Sequence, residues 1–162
     1  MTVGIVVVSH SSKIAEGAVE LAAQMAPDVE LVAAGGTDDD RIGTSLEKVL
    51  AAVEQSLVDS GGDGVVVLTD LGSAVMTAES AMEFASDPDA VLLADAPLVE
   101  GLVAAAVAAQ GGSGVADVCK AAEAAGYRPA EPVEPAEAGT APGPPANPRA
   151  GRPRPPPSPP RP

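Results

Sequence analysis

Four short apolar segments alternate along the chain with segments in which apolar residues recur at helical spacing. The four apolar segments cover positions 3–8, 29–34, 65–69 and 90–94. Continuous apolar runs are typical of strands buried on both faces, and strands separated by helices pair in parallel through right-handed crossovers. The sequence therefore predicts an α/β fold, an open doubly wound parallel four-stranded sheet with helices on both faces.

Apolar residues three and four positions apart predict the helices between these strands. The second helix is expected from Ile42 to Leu57, and the third from about Ala74 to Ala85. Ser11 or Ser12 is expected to cap the first helix. One face of that first helix is marked by Ile14, Ala18, Leu21, Ala22 and Met25.

The composition changes abruptly after residue 128. Residues 129–162 contain 14 of the 17 prolines and no Leu, Ile, Phe, Tyr or Met. Such a segment buries too little apolar surface to offset the entropy that it loses on ordering. We therefore expect one folded domain at residues 1–128, followed by a disordered proline-rich tail at 129–162.

The charge of the expected domain is strongly negative. Residues 1–128 carry 20 Asp and Glu against 5 Lys and Arg, a net charge of −15. A domain this acidic repels nucleic acid and anionic lipid, and its two aromatic residues, Phe84 and Tyr127, form no stacking platform for bases. These features argue against nucleic-acid or membrane partners and favour a protein partner with a basic face.

The sequence also bears on the location of the protein. No apolar run reaches the roughly 20 residues that a membrane span needs, and the N-terminus lacks the basic region of a signal peptide. The single cysteine, Cys119, cannot form an internal disulfide and is expected to be a buried core residue. We therefore expect a cytoplasmic protein.

The only histidine, His10, comes directly after the first predicted strand. In an open α/β sheet, sites lie beyond the carboxyl ends of the strands, so His10 should lie near Asp70, which follows the third strand. Asp70 would hold one ring nitrogen and leave the other nucleophilic. Gly72 and Ser73 would offer backbone and hydroxyl donors to phosphoryl oxygens. Together these residues indicate a phosphohistidine site.

Other kinds of site lack their motifs. No G-x-S-x-G nucleophile elbow, no Walker sequence for ATP and no G-x-G-x-x-G for a dinucleotide occurs. The acidic run at 38–40 has no second histidine or ordered spacing to support a metal site, and a solvated loop is expected there. No cofactor and no metal are therefore expected.

Four stretches carry a resemblance to a known family. They are GIVVVSHSSKIAEG at 4–17, AAGGTDDDRIGTS at 33–45, LTDLGSAVMTAE at 68–79 and APLVEG at 96–101. In content and order they resemble the phosphotransferase subunits (DhaM-type) of phosphoenolpyruvate-dependent dihydroxyacetone kinases. The domain of those subunits is similar to the mannose-type enzyme IIA domain of the sugar phosphotransferase system (PTS).

The resemblance implies a role for each site residue. His10 would take a phosphoryl group, Asp70 would orient its ring, and Gly72 and Ser73 would line the phosphoryl site. In addition, we expect backbone donors near Ser11, Gly72 and Ser73 to hold the phosphoryl oxygens. The donor would be the carrier HPr, charged by enzyme I, and the acceptor would be ADP on the nucleotide-binding kinase subunit (DhaL). A third subunit (DhaK) would bind dihydroxyacetone. The family domain is a homodimer.

Two other functions stay open at this stage. The first is the enzyme IIA component of a mannose-type sugar transport PTS, which would pass its phosphate to a IIB protein. The second is a regulator that binds a partner without catalysis and so would not need a nucleophilic His10. The residues quoted above for the resemblance favour the kinase subunit.

Deletion of residues 129–162 is expected to leave the melting temperature and the rate of phosphoryl transfer almost unchanged, because the tail has no core-forming residues. Calorimetry of the full-length and truncated chains measures the first, and a transfer assay measures the second. A clear drop in melting temperature on truncation would show that the tail packs on the domain.

Overall fold

The computed structural model describes residues 1–126. The tail at 129–162 lies outside the described residues, so its disorder and the domain boundary at residue 128 stay predictions. Residues 1–126 form one parallel sheet with the strand order β2-β1-β3-β4, and five α-helices. The strands are β1 (Gly4–Ser9), β2 (Leu31–Gly35), β3 (Val65–Thr69) and β4 (Val91–Leu93), and the helices are α1 (Ser12–Ala23), α2 (Leu46–Asp59), α3 (Gly72–Phe84), α4 (Leu98–Gln110) and α5 (Val115–Ala124).

The central strands β1 and β3 form the middle of the core. Every residue of both strands is buried, as expected for apolar runs covered on two faces. Ile5 and Val7 pack towards α1, α4 and α5, whereas Val6 and Val8 pack towards α2 and α3. The predicted doubly wound sheet with helices on both faces is therefore confirmed. Strand β4 is shorter than predicted because a 3₁₀ turn, Pro88–Ala90, leads into it.

Small residues form the sheet-facing side of α1. Ala15, Ala18 and Ala22 are buried there. Small side chains let the helix approach the sheet closely, and the larger residues beside them then stay on its outer flanks. The prediction of a buried apolar face is therefore right for Ala18 and Ala22. It is wrong for three larger residues that are exposed in the structure, Ile14, Leu21 and Met25.

Helix α2 begins at Leu46, later than the start that was predicted at Ile42. The cause is Ser45, whose hydroxyl accepts a hydrogen bond of 3.2 Å from the amide of Lys48 and caps the first turn. Ile42 is exposed in the β2–α2 loop, residues 36–45. This loop reaches the carboxyl end of the sheet, where the functional residues were expected.

Strand β2 ends at Gly35, where the chain passes directly beside the start of α1. A Cβ atom at Gly35 would lie 2.5 Å from the carbonyl oxygen of Ser11 and 2.8 Å from Cα of Ser12. Only glycine allows this approach. The close contact brings the end of β2 against the helix that follows β1.

Helices α4 and α5 cover the same face of the sheet as α1. Cys119 of α5 is buried and free, in agreement with the prediction of a core cysteine. Within residues 1–126, none of the helices is both long and apolar enough to cross a membrane.

The end of the sheet opposite the expected site holds a pair of carboxyl groups. Glu30, just before β2, has one carboxyl oxygen, Oε2, that is buried and has no hydrogen-bond partner among residues 1–126. Burial, together with the hydrogen bond and charge of Asp59 at the end of α2, raises the pKa of Glu30 to about 7. Glu30 therefore binds a proton more tightly in the folded chain than in the unfolded chain.

This pair predicts a loss of stability above neutral pH. An acid whose pKa is raised by folding contributes stability that is complete below its unfolded pKa of 4.5 and is lost as the pH rises through about 7. The melting temperature should fall by roughly 5 °C between pH 5.5 and pH 8.5. Glu30→Gln should reduce that fall, whereas Glu20→Gln on the exposed side of α1 should leave it in place. Equal slopes for wild type and Glu30→Gln would contradict the assignment.

Candidate active site

His10 and Asp70 lie side by side at the carboxyl edge of the sheet. The parallel register pairs Val8 of β1 with Thr69 of β3, so the residues that follow the two strands emerge together. The chain runs outward from β1 to β2 on one side and returns through β3 on the other, and sites in such sheets form at this switch point. His10 therefore meets Asp70 because two buried strands are paired.

The carboxylate of Asp70 accepts four hydrogen bonds. Its Oδ1 accepts from Nδ1 of His10 at 2.9 Å and from the amide of Leu71 at 2.8 Å. Its Oδ2 accepts from the hydroxyl of Ser9 at 2.8 Å and from the amide of His10 at 3.0 Å. These bonds fix the carboxylate from two sides, so it can fix the ring in turn.

The same contacts keep Asp70 ionised. Burial by itself raises the pKa of Asp70, but the hydrogen bonds from the His10 ring and amide, the Ser9 hydroxyl and the Leu71 amide outweigh it. Together they lower the pKa below its ordinary value. An ionised carboxylate next to Nδ1 accepts its proton in a hydrogen bond, which places the hydrogen of a neutral imidazole on Nδ1.

The other ring nitrogen, Nε2, then carries a free lone pair. It lies in very close contact with the hydroxyl of Ser73, whose oxygen can donate its hydrogen to that lone pair. The side chain of His10 is 19% exposed, so part of the ring is open to a partner from solvent. The geometry thus gives an oriented, accessible nitrogen nucleophile.

The first turn of α3 lies beside this nucleophile. Helix α3 begins at Gly72, and its N-cap residue, Leu71, makes no side-chain capping bond. The amides of Gly72 and Ser73 have no acceptor among residues 1–126. Free amides at a helix start, together with its positive dipole end, favour a phosphoryl group. The structure therefore places the predicted Ser73 against His10, with the predicted Gly72 directly before it in the first turn of α3.

Ser11 is placed differently from the other predicted residues. Its hydroxyl accepts the amide hydrogen of Ile14 at 3.4 Å and caps α1, and its own amide donates to the hydroxyl of Ser9 at 3.1 Å. The backbone donor that was expected at Ser11 is therefore already used. Only the hydroxyl hydrogen of Ser11 is left for a phosphoryl oxygen.

The acidic run of the β2–α2 loop does not converge on one point. Asp38 accepts from the hydroxyl of Ser45, Asp39 pairs with Arg41, and Asp40 pairs with Lys48. No group of three or more metal-ligating side chains occurs within the described residues. The carboxylates of this loop serve its internal bonding.

Sequence reasoning missed several contacts that complete the site. They come from the hydroxyl of Ser9, the amide of Leu71 and the amide of Gly43, which donates to the carbonyl oxygen of His10 at 2.8 Å. Ser9 could have been predicted from the sequence, because it is a polar residue at the end of a strand that is buried throughout. The two amides could not have been predicted, since every residue type except proline has a backbone amide.

Comparison with known proteins identifies the group to which this fold and site belong. Residues 4–119 match the EIIA-man family, described as the PTS system fructose IIA component. The chain belongs to the EIIA-man family. The predicted resemblance to DhaM-type subunits is confirmed as well. The chain is 42% identical over 120 residues to the "PEP-dependent dihydroxyacetone kinase, phosphoryl donor subunit DhaM" of Providencia stuartii, and 39% identical over 107 residues to subunit DhaM of kinase 1 of Listeria innocua.

These EIIA-man relatives differ in length. The matches cover 70% of this chain and 24% of the Providencia protein, but 66% of this chain and 82% of the Listeria protein. The chain thus spans about a quarter of the first relative and most of the second.

Solved structures share the fold of this EIIA-man chain. A protein of unknown function, EF1359, has a TM-score of 0.67 at 31% identity and covers 79% of this chain and 98% of its own. A PTS component EIIA from Streptococcus agalactiae has a TM-score of 0.57 at 18% identity and covers 76% of this chain and 92% of its own. The likeness to the second structure supports the fold alone.

Asp70→Asn is expected to slow phosphorylation of His10 roughly tenfold to a hundredfold. The amide can donate to Nδ1, which moves the ring hydrogen to Nε2 and removes the lone pair there. Asp95→Asn is the matched control, because Asp95 is exposed at the end of the neighbouring strand β4. The rates are measured by rapid-quench phosphorylation. Wild-type rates for Asp70→Asn would remove Asp70 from the site.

Proposed function

We propose that the chain is the phosphoryl donor subunit of a phosphoenolpyruvate-dependent dihydroxyacetone kinase, and therefore a phosphotransferase. His10 would accept a phosphoryl group from phospho-HPr and pass it to ADP held on the nucleotide-binding kinase subunit, DhaL. The observation that carries the proposal is the contact between Nδ1 of His10 and Asp70, which leaves Nε2 unprotonated on a partly exposed ring, with the Ser73 hydroxyl beside it. The printed function of the DhaM relatives agrees with it.

The first transfer begins with the lone pair of Nε2 on neutral His10. It attacks the phosphorus of the donor phosphohistidine, whose ring is protonated on its other nitrogen. A P–N bond forms at Nε2, the donor P–N bond breaks, and its electron pair stays on the donor ring, which leaves neutral. The ring of His10 becomes cationic with its hydrogen still on Nδ1. The ionised Asp70 at 2.9 Å stabilises that positive charge.

The second transfer reverses the change at His10. A terminal β-phosphate oxygen of ADP attacks the phosphorus, the P–N bond at Nε2 breaks, and its electron pair returns to Nε2. His10 is again neutral with its hydrogen on Nδ1. The amides of Gly72 and Ser73, at the uncapped start of α3, would hold the equatorial oxygens in both steps, so the protein would contribute mainly position and charge stabilisation.

The charge of the chain fits a relay between proteins. With 23 acidic residues against 9 basic ones, it attracts partners that present basic surfaces and raises their encounter rate. The partners in this proposal are HPr as donor, and DhaL together with DhaK on the acceptor side. The proposal includes a homodimer of this chain and a cytoplasmic location, as the resemblance implies.

The description of the matching family supports a second candidate function, that of a sugar transport component. That family is described as a fructose IIA component, which points to a sugar transport PTS. A transport component would present the same phosphorylated His10 to a IIB protein. The DhaM relatives favour the kinase.

Incubation with phosphoenolpyruvate, enzyme I and HPr is expected to add one acid-labile phosphate to the chain. The adduct should be absent in His10→Ala, because His10 is the only histidine. Intact-mass spectrometry measures the adduct, and cleavage in mild acid identifies a phosphohistidine. No adduct on the wild type, or an adduct on His10→Ala, would end the relay proposal.

The acceptor is decided by a second stage of the same experiment. Phosphorylated wild type is mixed either with ADP-loaded DhaL, with DhaK and dihydroxyacetone present, or with a IIB-type protein from the same genome. Loss of the phosphate to the kinase subunits, with formation of dihydroxyacetone phosphate, is the expected result. Transfer to the IIB protein alone would assign the chain to sugar transport.

A further inference from the structure

Two segments enclose His10 from opposite sides. The β2–α2 loop approaches its main chain, where the amide of Gly43 donates to the His10 carbonyl at 2.8 Å. The first turn of α3 approaches its ring, where Ser73 contacts Nε2. We call the β2–α2 loop and the first turn of α3 the two walls of the site. Because they come from different parts of the chain, a contact between them is needed to fix the distance that separates them.

A pair of threonines joins the two walls. Thr44, next to Gly43 in the loop, has its hydroxyl oxygen 2.8 Å from that of Thr77 on α3. The hydroxyl of Thr77 also lies 3.1 Å from the carbonyl oxygen of Ser73 and donates to it. A hydroxyl has one hydrogen, so Thr77 must accept from Thr44 while it donates to Ser73. In the hydrogen bond between the two threonines, Thr44 is therefore the donor and Thr77 the acceptor.

The bonds form a closed circuit around the nucleophile. It runs from the His10 carbonyl to the amide of Gly43, through Thr44 and Thr77 to the carbonyl of Ser73, and back through the Ser73 hydroxyl to Nε2. A helical threonine that bonds to the carbonyl four residues earlier is common by itself. The bond from Thr44 distinguishes this one, because it connects that helix to the loop on the other side of His10.

The first turn of α3 needs such support. Helices α1 and α2 are capped by the hydroxyls of Ser11 and Ser45, whereas the N-cap of α3, Leu71, offers no side-chain bond. An uncapped helix start keeps its amides free for a phosphoryl group but frays easily. Glycine at its first position, Gly72, adds backbone freedom.

The hydroxyl of Ser73 also has to change its acceptor during transfer. Before transfer it is placed to donate to the lone pair of Nε2. Once the P–N bond has formed, that lone pair is used, and the hydroxyl is free to donate to a phosphoryl oxygen. A small error in the position of Ser73 weakens both bonds.

We propose that Thr44 and Thr77 are positioning residues for phosphoryl transfer at His10, and that their hydroxyls hold Ser73 at the distance the reaction requires. Neither hydroxyl touches the reacting nitrogen in the structure, and both act through Ser73. The inference rests on the proposed relay for its effect on rate. Its effect on the free imidazole does not depend on the relay.

The test compares four single variants and the Thr44→Val/Thr77→Val double variant with the wild type. Thr77→Val and Thr44→Val remove each hydroxyl with little change of shape, and Thr77→Ser restores one. Ser80→Ala is the control, since Ser80 is exposed further along the same helix. The readouts are single-turnover phosphorylation by phospho-HPr as a function of its concentration, and the ¹⁵N chemical shift of Nε2 in the unphosphorylated chain. Melting curves confirm that each variant is folded.

Thr77→Val should lower the maximal rate about three- to tenfold and leave the half-saturating HPr concentration unchanged. Its Nε2 shift should move towards that of a nitrogen without a hydrogen-bond donor. Thr77→Ser should restore both readouts, Thr44→Val should move them in the same direction, and the double valine variant should be no worse than Thr77→Val. Ser80→Ala should behave as wild type.

Several results would overturn the positioning role. They are an unchanged Nε2 shift in both valine variants, a change confined to the half-saturating concentration, or failure of Thr77→Ser to restore the rate. If Thr77→Val does not fold, Thr44→Val decides by the same readouts. If the wild type takes no phosphate from phospho-HPr, the proposed function fails, and the Nε2 shift still decides the positioning role by itself.

Discussion

The pairing of β1 with β3 is the constraint on which the site depends. Both strands are buried throughout, so their register is fixed by packing on two faces and a shift of one residue would exchange the two faces. That register brings the last residues of the strands together and sets His10 against Asp70. The helix starts, the β2–α2 loop and the free amides of α3 take their positions around this contact.

The electrostatics of the site oppose those of the chain as a whole. The chain carries an excess of carboxylates, yet the proposed relay requires a phosphoryl group to rest on His10. Asp70 is the carboxylate nearest the ring, and its charge is balanced by four donors, two of them from His10 itself. The uncapped start of α3 then presents positive partial charge without a cationic side chain. In the proposed relay, the acidic surface attracts partner proteins that present basic faces.

The rule that sites in open α/β sheets lie beyond the carboxyl ends of the strands predicted the central residues of the candidate site. Because buried strands of an α/β sheet align their carboxyl ends, the sequence was sufficient to place His10, Asp70, Gly72 and Ser73 together. The sequence could not predict which hydrogen bonds individual hydroxyls and amides make, because these depend on the direction in which each group points. A backbone donor was expected near Ser11, but the amide of Ser11 itself donates to the hydroxyl of Ser9 in the structure.

The outer faces of the helices were predicted less well than the strands. Hydrophobicity marked Ile14 as a core residue of α1, whereas the small Ala15 beside it faces the sheet and Ile14 is exposed. The start of α2 was placed at Ile42, because apolar spacing was weighed above the cap at Ser45. In both cases close packing or a local hydrogen bond outweighed hydrophobicity.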